Sequence, residues 1–183
     1  MIKMTGYATG LVTLLAGTLP DAGAATLSEM RMLNASQQPG MVVVCNGSTD
    51  IPQKGGAPVR IDRLLTGVVL QNDGDRMVFD VTYTQRYVKQ PGPFMTEKLK
   101  MTTELEATRQ KMVVDPETIE LSLPYARSLE ESLLAQIKAN PVSYDEYSIY
   151  RVTSATDYQI MPGPESPDAP VMHCTVRPPS GRS

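Results

Sequence analysis

The sequence predicts a mainly β domain, an antiparallel meander closing into a small β-barrel or barrel-like sandwich with one short α-helix. Three observations carry this. Apolar and polar residues alternate with period two over long stretches, clusters of turn residues separate those stretches, and two cysteines lie near opposite ends of the chain. Period-two alternation buries one face of a strand and wets the other, the mark of antiparallel sheet.

The chain opens with Met1-Ile2-Lys3, an apolar run from Tyr7 to Leu19, Pro20 and the small triplet Ala22-Gly23-Ala24. That order predicts a secretory signal peptide over residues 1–24, with cleavage after Ala24. Residues 25–183 are then one β-rich domain of ordinary size, with no composition shift to divide it.

Met41–Val44 is the first strong strand, ending at Cys45, with Asn46-Gly47 readable as the turn after it. Leu64–Gln71 and Arg76–Tyr87 form a hairpin around Asn72-Asp73-Gly74-Asp75, residues that tolerate positive φ. In the second of these strands Met77, Phe79, Val81 and Tyr83 share one face, and Asp80, Thr82, Thr84 and Arg86 the other. Pro91-Gly92-Pro93 turns the chain into Lys98–Ala107, where Leu99, Met101 and Leu105 alternate with Lys98, Lys100, Glu104 and Glu106. Lys111–Val114 and Ile119–Leu123 follow, separated by Asp115-Pro116-Glu117-Thr118.

The helix is expected at about 128–140. Ser128 and Glu131 have capping-box spacing, Leu129, Leu133, Leu134 and Ile137 form a narrow stripe, and Asn140-Pro141 ends it. It is expected to pack on an open end or face of the sheet. Tyr147–Val152 and Thr156–Met161 read as a further hairpin, Pro162–Pro170 as a constrained loop and Val171–Val176 as the last strand. Residues 178–183 read as a frayed, flexible tail.

Export places Cys45 and Cys174 where thiols oxidise, so a disulfide between them is expected. Such a bridge requires the first and last strands to be neighbours. Up-and-down closure would supply that pairing.

Composition excludes several functions. Net charge is −3, the pI is near 5.2 and no basic stripe occurs, which disfavours nucleic acid and anionic membrane surfaces. No run of apolar residues in the mature region is long enough to be a transmembrane helix. The single histidine, His173, adjoins Cys174, and neighbours in a strand point to opposite faces, so they do not form a nucleophile–base pair. One histidine and two bridged cysteines cannot build a zinc tetrad. Met30, Met32, Met161 and Met172 admit a soft-metal reading, but eleven methionines beside two Phe and no Trp are better read as core filler. No catalytic residue, metal ligand set or cofactor motif can be assigned. Glu104 with Glu106 reads as a solvated strand face, and Asp145 with Glu146 as a turn.

Tyr144, Tyr147, Tyr150 and Tyr158 form the densest aromatic group and are the candidate interaction surface, or else a cap on the core. Asn34-Ala35-Ser36 and Asn46-Gly47-Ser48 match the N-glycosylation triplet. The functional expectation is an exported, periplasmic or extracellular, non-enzymatic binding or interaction module. Its partner would be a protein, a glycan or a small apolar ligand. An extracytoplasmic carboxylate-based hydrolase and a periplasmic inhibitor of a host or competitor enzyme are the alternatives. A hollow interior lined by residues such as Phe79, Val81, Leu99, Met101 and Leu121 would favour the small ligand.

Overall fold

The structure is a computed structural model that describes residues 23–179 other than Glu165. Residues 1–22, most of the expected signal peptide, and 180–183, most of the expected tail, lie outside the described residues.

Ten strands form one antiparallel sheet: β1 (Val42–Ile51), β2 (Val59–Asn72), β3 (Arg76–Tyr87), β4 (Met95–Leu105), β5 (Arg109–Val114), β6 (Glu120–Ser122), β7 (Val142–Glu146), β8 (Tyr150–Val152), β9 (Asp157–Ile160) and β10 (Met172–Arg177). The order is β7-β5-β4-β3-β2-β1-β10-β9-β8, with β6 also pairing β4. The sheet curls into a nearly closed barrel, as the alternation predicts.

Register places the predicted apolar faces together. Val43, Gly67, Val81 and Leu99 are cross-strand partners in one rung, and Val69, Phe79, Met101 and Val114 in another. The core gathers Val43, Cys45, Val69, Met77, Phe79, Val81, Cys174 and Val176. Cys45 faces Cys174 across the β1–β10 ladder, with Cα atoms 4.0 Å apart and the sulfurs bonded at 2.06 Å. First and last strands are therefore neighbours, but the barrel does not close there. Its two edges are β7 and β8, consecutive in the chain and joined by a 3₁₀ turn at Tyr147–Ile149.

Several elements depart from the sequence reading. β1 runs on through Ile51, so Asn46-Gly47 lies mid-strand and not in a turn. Glycine is needed there because a Cβ on Gly47 would meet the Val171 carbonyl oxygen at 2.6 Å. Tyr147–Val152 is not one strand, since the turn at Tyr147–Ile149 interrupts it.

A helix with no counterpart in the sequence reading, α1 (Leu27–Ser36), packs against β4 and β8. Met30 and Leu33 go inward with Ala25, Tyr147 and Tyr150. Its signal is Thr26-x-x-Glu29, a capping box formed in full: the Thr26 side chain accepts from the Glu29 N–H, and the Glu29 side chain accepts from the Thr26 N–H.

The predicted helix exists as α2 (Arg127–Ala139), one residue earlier at each end. Its N-cap is Ala126 rather than Ser128, with no side-chain cap bond. Glu130 instead reaches back to accept the Leu123 N–H at 2.9 Å. Its main contact is with β6, and Leu129 and Leu133 remain 56% and 37% exposed. The helical mass over the barrel core is α1.

Candidate functional site

Between α1 and the strands lies a cavity of about 120 Å³. Its walls come from α1 and the residue that caps it (Met30, Leu33, Asn34, and Gln37 as the cap), from β1 to β5 (Val43, Leu65, Phe79, Val81, Met101, Thr103, Gln110, Met112 among them) and from Tyr150, Tyr158 and Ile160 near the barrel edge. Most of that surface is apolar, with methionine contributing from three strands and the helix. No lining residue carries a charge. Phe79, Val81 and Met101 line it as expected, whereas Leu99 and Leu121 do not. Leu99 packs beside the core, and Leu121 lies on the rung of Glu97.

α1 is held over this space by the β2–β3 turn. Asn72 Oδ1 accepts the Gly74 N–H at 2.8 Å, closing the turn. Its Nδ2 donates to the Asn34 and Gln37 carbonyls at 2.7 and 2.9 Å, satisfying acceptors at the end of α1. Asn34 donates to the Gly74 carbonyl at 2.7 Å, and Arg31 pairs with Asp75. Gly74 has φ +83°, which suits glycine.

A buried polar bridge spans the barrel edges. The Tyr150 hydroxyl on β8 lies 3.0 Å from Asp145 Oδ2 on β7 and 3.1 Å from Gln110 Oε1 on β5, a donor set between two acceptors. Burial pushes the Asp145 carboxyl above the usual aspartate range, an effect the Tyr150 hydrogen bond only partly offsets. The Tyr150 hydroxyl is raised well above an ordinary tyrosine by burial and then by Asp145. Tyr158 is raised by burial, and its hydroxyl has the Cys45 sulfur 4.0 Å away.

The candidate tyrosines thus separate. Tyr147 and Tyr150 are 3% and 4% exposed, and Tyr158 packs between the two core clusters, so these three belong to the interior. Tyr144 alone stays on the outside, with the Arg109 guanidinium 4.1 Å over its ring. The 3₁₀ turn decides this, because it changes which side of the chain Tyr147 and Tyr150 present.

His173 is exposed and faces away from Cys174. Glu104 and Glu106 are solvated and paired with Lys111 and Arg109. Asp145 is not in a turn but half-buried on the edge strand β7. Glu97 on β4 is also raised by desolvation. The strand distance from Glu97 to Leu105, the rung of Gln110 and Asp145, is roughly 27 Å at about 3.4 Å per residue, so the two desolvated carboxyls do not converge. Asn34 is 2% exposed, which takes the first glycosylation triplet out of reach in the folded chain. Among the described residues no helix is long and apolar enough to cross a membrane.

No family model, curated protein or solved structure matches this chain.

Proposed function

We propose that this chain is an exported β-domain, periplasmic or extracellular, that acts as a binding module and takes a small apolar ligand into the barrel interior beneath α1. The observation that carries this reading is the cavity of about 120 Å³ with uncharged, largely apolar walls. An engineered apolar cavity of comparable size, about 150 Å³, stays dry and takes up benzene. Methionine walls adapt their shape to a guest, because the side chain is unbranched and polarisable. The cysteine pair supports export, since disulfides persist in oxidising compartments.

Titration of the mature chain with benzene or toluene, followed by amide chemical shifts, tests the binding. Shifts are expected at Met30, Leu33, Phe79 and Val81, and Val81→Phe is expected to abolish them by filling the space while leaving a dispersed spectrum. An unshifted wild-type spectrum at saturating toluene would refute the reading. Export is tested by the N-terminal mass of protein recovered from its host, which is expected to begin at Ala25.

A further inference from the structure

Two residues that line the cavity, one buried and one partly buried, carry poorly matched hydroxyls. Thr103 is 3% exposed, and its Oγ1 has no hydrogen-bond partner among the described residues. The Tyr158 hydroxyl has a disulfide sulfur at 4.0 Å, and sulfur is a weak acceptor. Both residues line the same cavity, one from β4 and the other from β9. A third residue lines the same cavity: Gln110 accepts from Tyr150 on Oε1, which leaves its amide nitrogen for another partner. All three can donate. A buried donor left unmatched carries the full penalty of its lost hydration, so a guest that supplies an acceptor gains affinity that a hydrocarbon cannot.

Charge sets the other limit. No lining residue is charged, and Asp145, which accepts a hydrogen bond from the lining residue Tyr150, adds no cation. An anionic guest would lose its hydration with no cation to replace it.

Resting on the reading of the barrel as a small-ligand module, we infer that its ligand is an uncharged molecule of single-ring or short-chain size bearing one oxygen acceptor, such as an alcohol, phenol or ketone, bound through Thr103 and Tyr158. Hydrocarbon and carboxylate analogues of the same size are discriminated against.

The probes are p-cresol, toluene and benzoate, titrated into the disulfide-bonded mature chain by amide chemical shifts. p-Cresol is expected to bind at least ten-fold more tightly than toluene, and benzoate not at all below about 10 mM. Thr103→Val and Tyr158→Phe keep shape while removing one hydroxyl each. Each is expected to lower the p-cresol preference at least three-fold with toluene affinity unchanged, and retained toluene binding shows that the variant is folded. Equal wild-type affinities for p-cresol and toluene would overturn this inference and leave the apolar-ligand reading standing. A preference that both variants retain, or benzoate bound as well as p-cresol, would also overturn it. Binding of none of the three would overturn both.

Discussion

At the scale of single residues, polar side chains hold this barrel together where the backbone ladder cannot. Asn72 closes a hairpin with its oxygen and ties down α1 with its nitrogen. Asn72→Ala is therefore expected to cost about 1–3 kcal/mol in urea unfolding, more than a surface turn residue would. Asn72→Asp is the sharper variant: it keeps the turn acceptor and loses both donors to α1, so it should recover little of that loss. Tyr150 does the corresponding work across the barrel edges, and Tyr150→Phe leaves Asp145 and Gln110 without its donor. Asp145 also makes stability depend on pH. Burial raises its pKa on folding, so its contribution is fully present below the ordinary aspartate value of 3.8 and is lost as pH rises through the folded value. Asp145→Asn removes that titration. The wild-type-minus-variant stability difference, from urea melts between pH 3.5 and 7.5, should fall as pH rises. A flat difference would show that burial of Asp145 is not felt in the folded state.

Among the elements, the two helices differ in what they cover. Leu33 on α1 is 2% exposed against the core, while Leu133 on α2 is 37% exposed. The same substitution should separate them: Leu33→Ala is expected to cost about 2–4 kcal/mol, and Leu133→Ala under about 0.5 kcal/mol. Urea midpoints of the two variants, measured side by side, check this. The pair also shows why sequence patterns located one helix and not the other. α2 advertises itself with a leucine stripe between a turn and a proline, although little of that stripe is buried. α1 buries Met30 and Leu33 but carries only a short apolar face on ten residues, and its plainest mark is the local Thr26–Glu29 cap. Burial against a distant sheet is not written in a helix's own periodicity.

On the scale of the whole molecule, three contacts tie distant parts of the chain: the Cys45–Cys174 bond, the Ala25 N–H shared by the Tyr147 and Tyr150 carbonyls at 3.1 and 3.2 Å, and the Tyr150–Gln110 hydrogen bond. The disulfide joins residues 129 apart in the chain. On the chain-entropy account, reducing it should lower stability by about 4–5 kcal/mol. The β1–β10 ladder does not depend on it, so the reduced protein should keep its far-ultraviolet circular dichroism and unfold at lower urea. Collapse of the spectrum on reduction alone would mean that the barrel has too little core to stand without the bond. Ala25 is 8% exposed and is the residue at which the expected mature chain begins. A chain starting at Ala25 should therefore fold fully, and one starting at Leu27 should lose the capping box and the anchor at the barrel edges, unfolding at lower urea.

The sequence by itself determined the antiparallel β class, most of the strands though not β7, the hairpin at Asn72–Asp75, the existence of α2 and the pairing of Cys45 with Cys174. All of these follow from local periodicity, turn chemistry or the scarcity of partners for a thiol. Only the tertiary structure decided where the barrel has its edges, which helix covers the core and which tyrosines face inward. Those depend on how a twisted sheet curls through space, which brings Asp145, Gln110 and Tyr150 together from separate strands. Side-chain alternation tells a strand that it has a wet face and a dry one. It does not say which residues will meet inside, and here the cavity is made of that meeting.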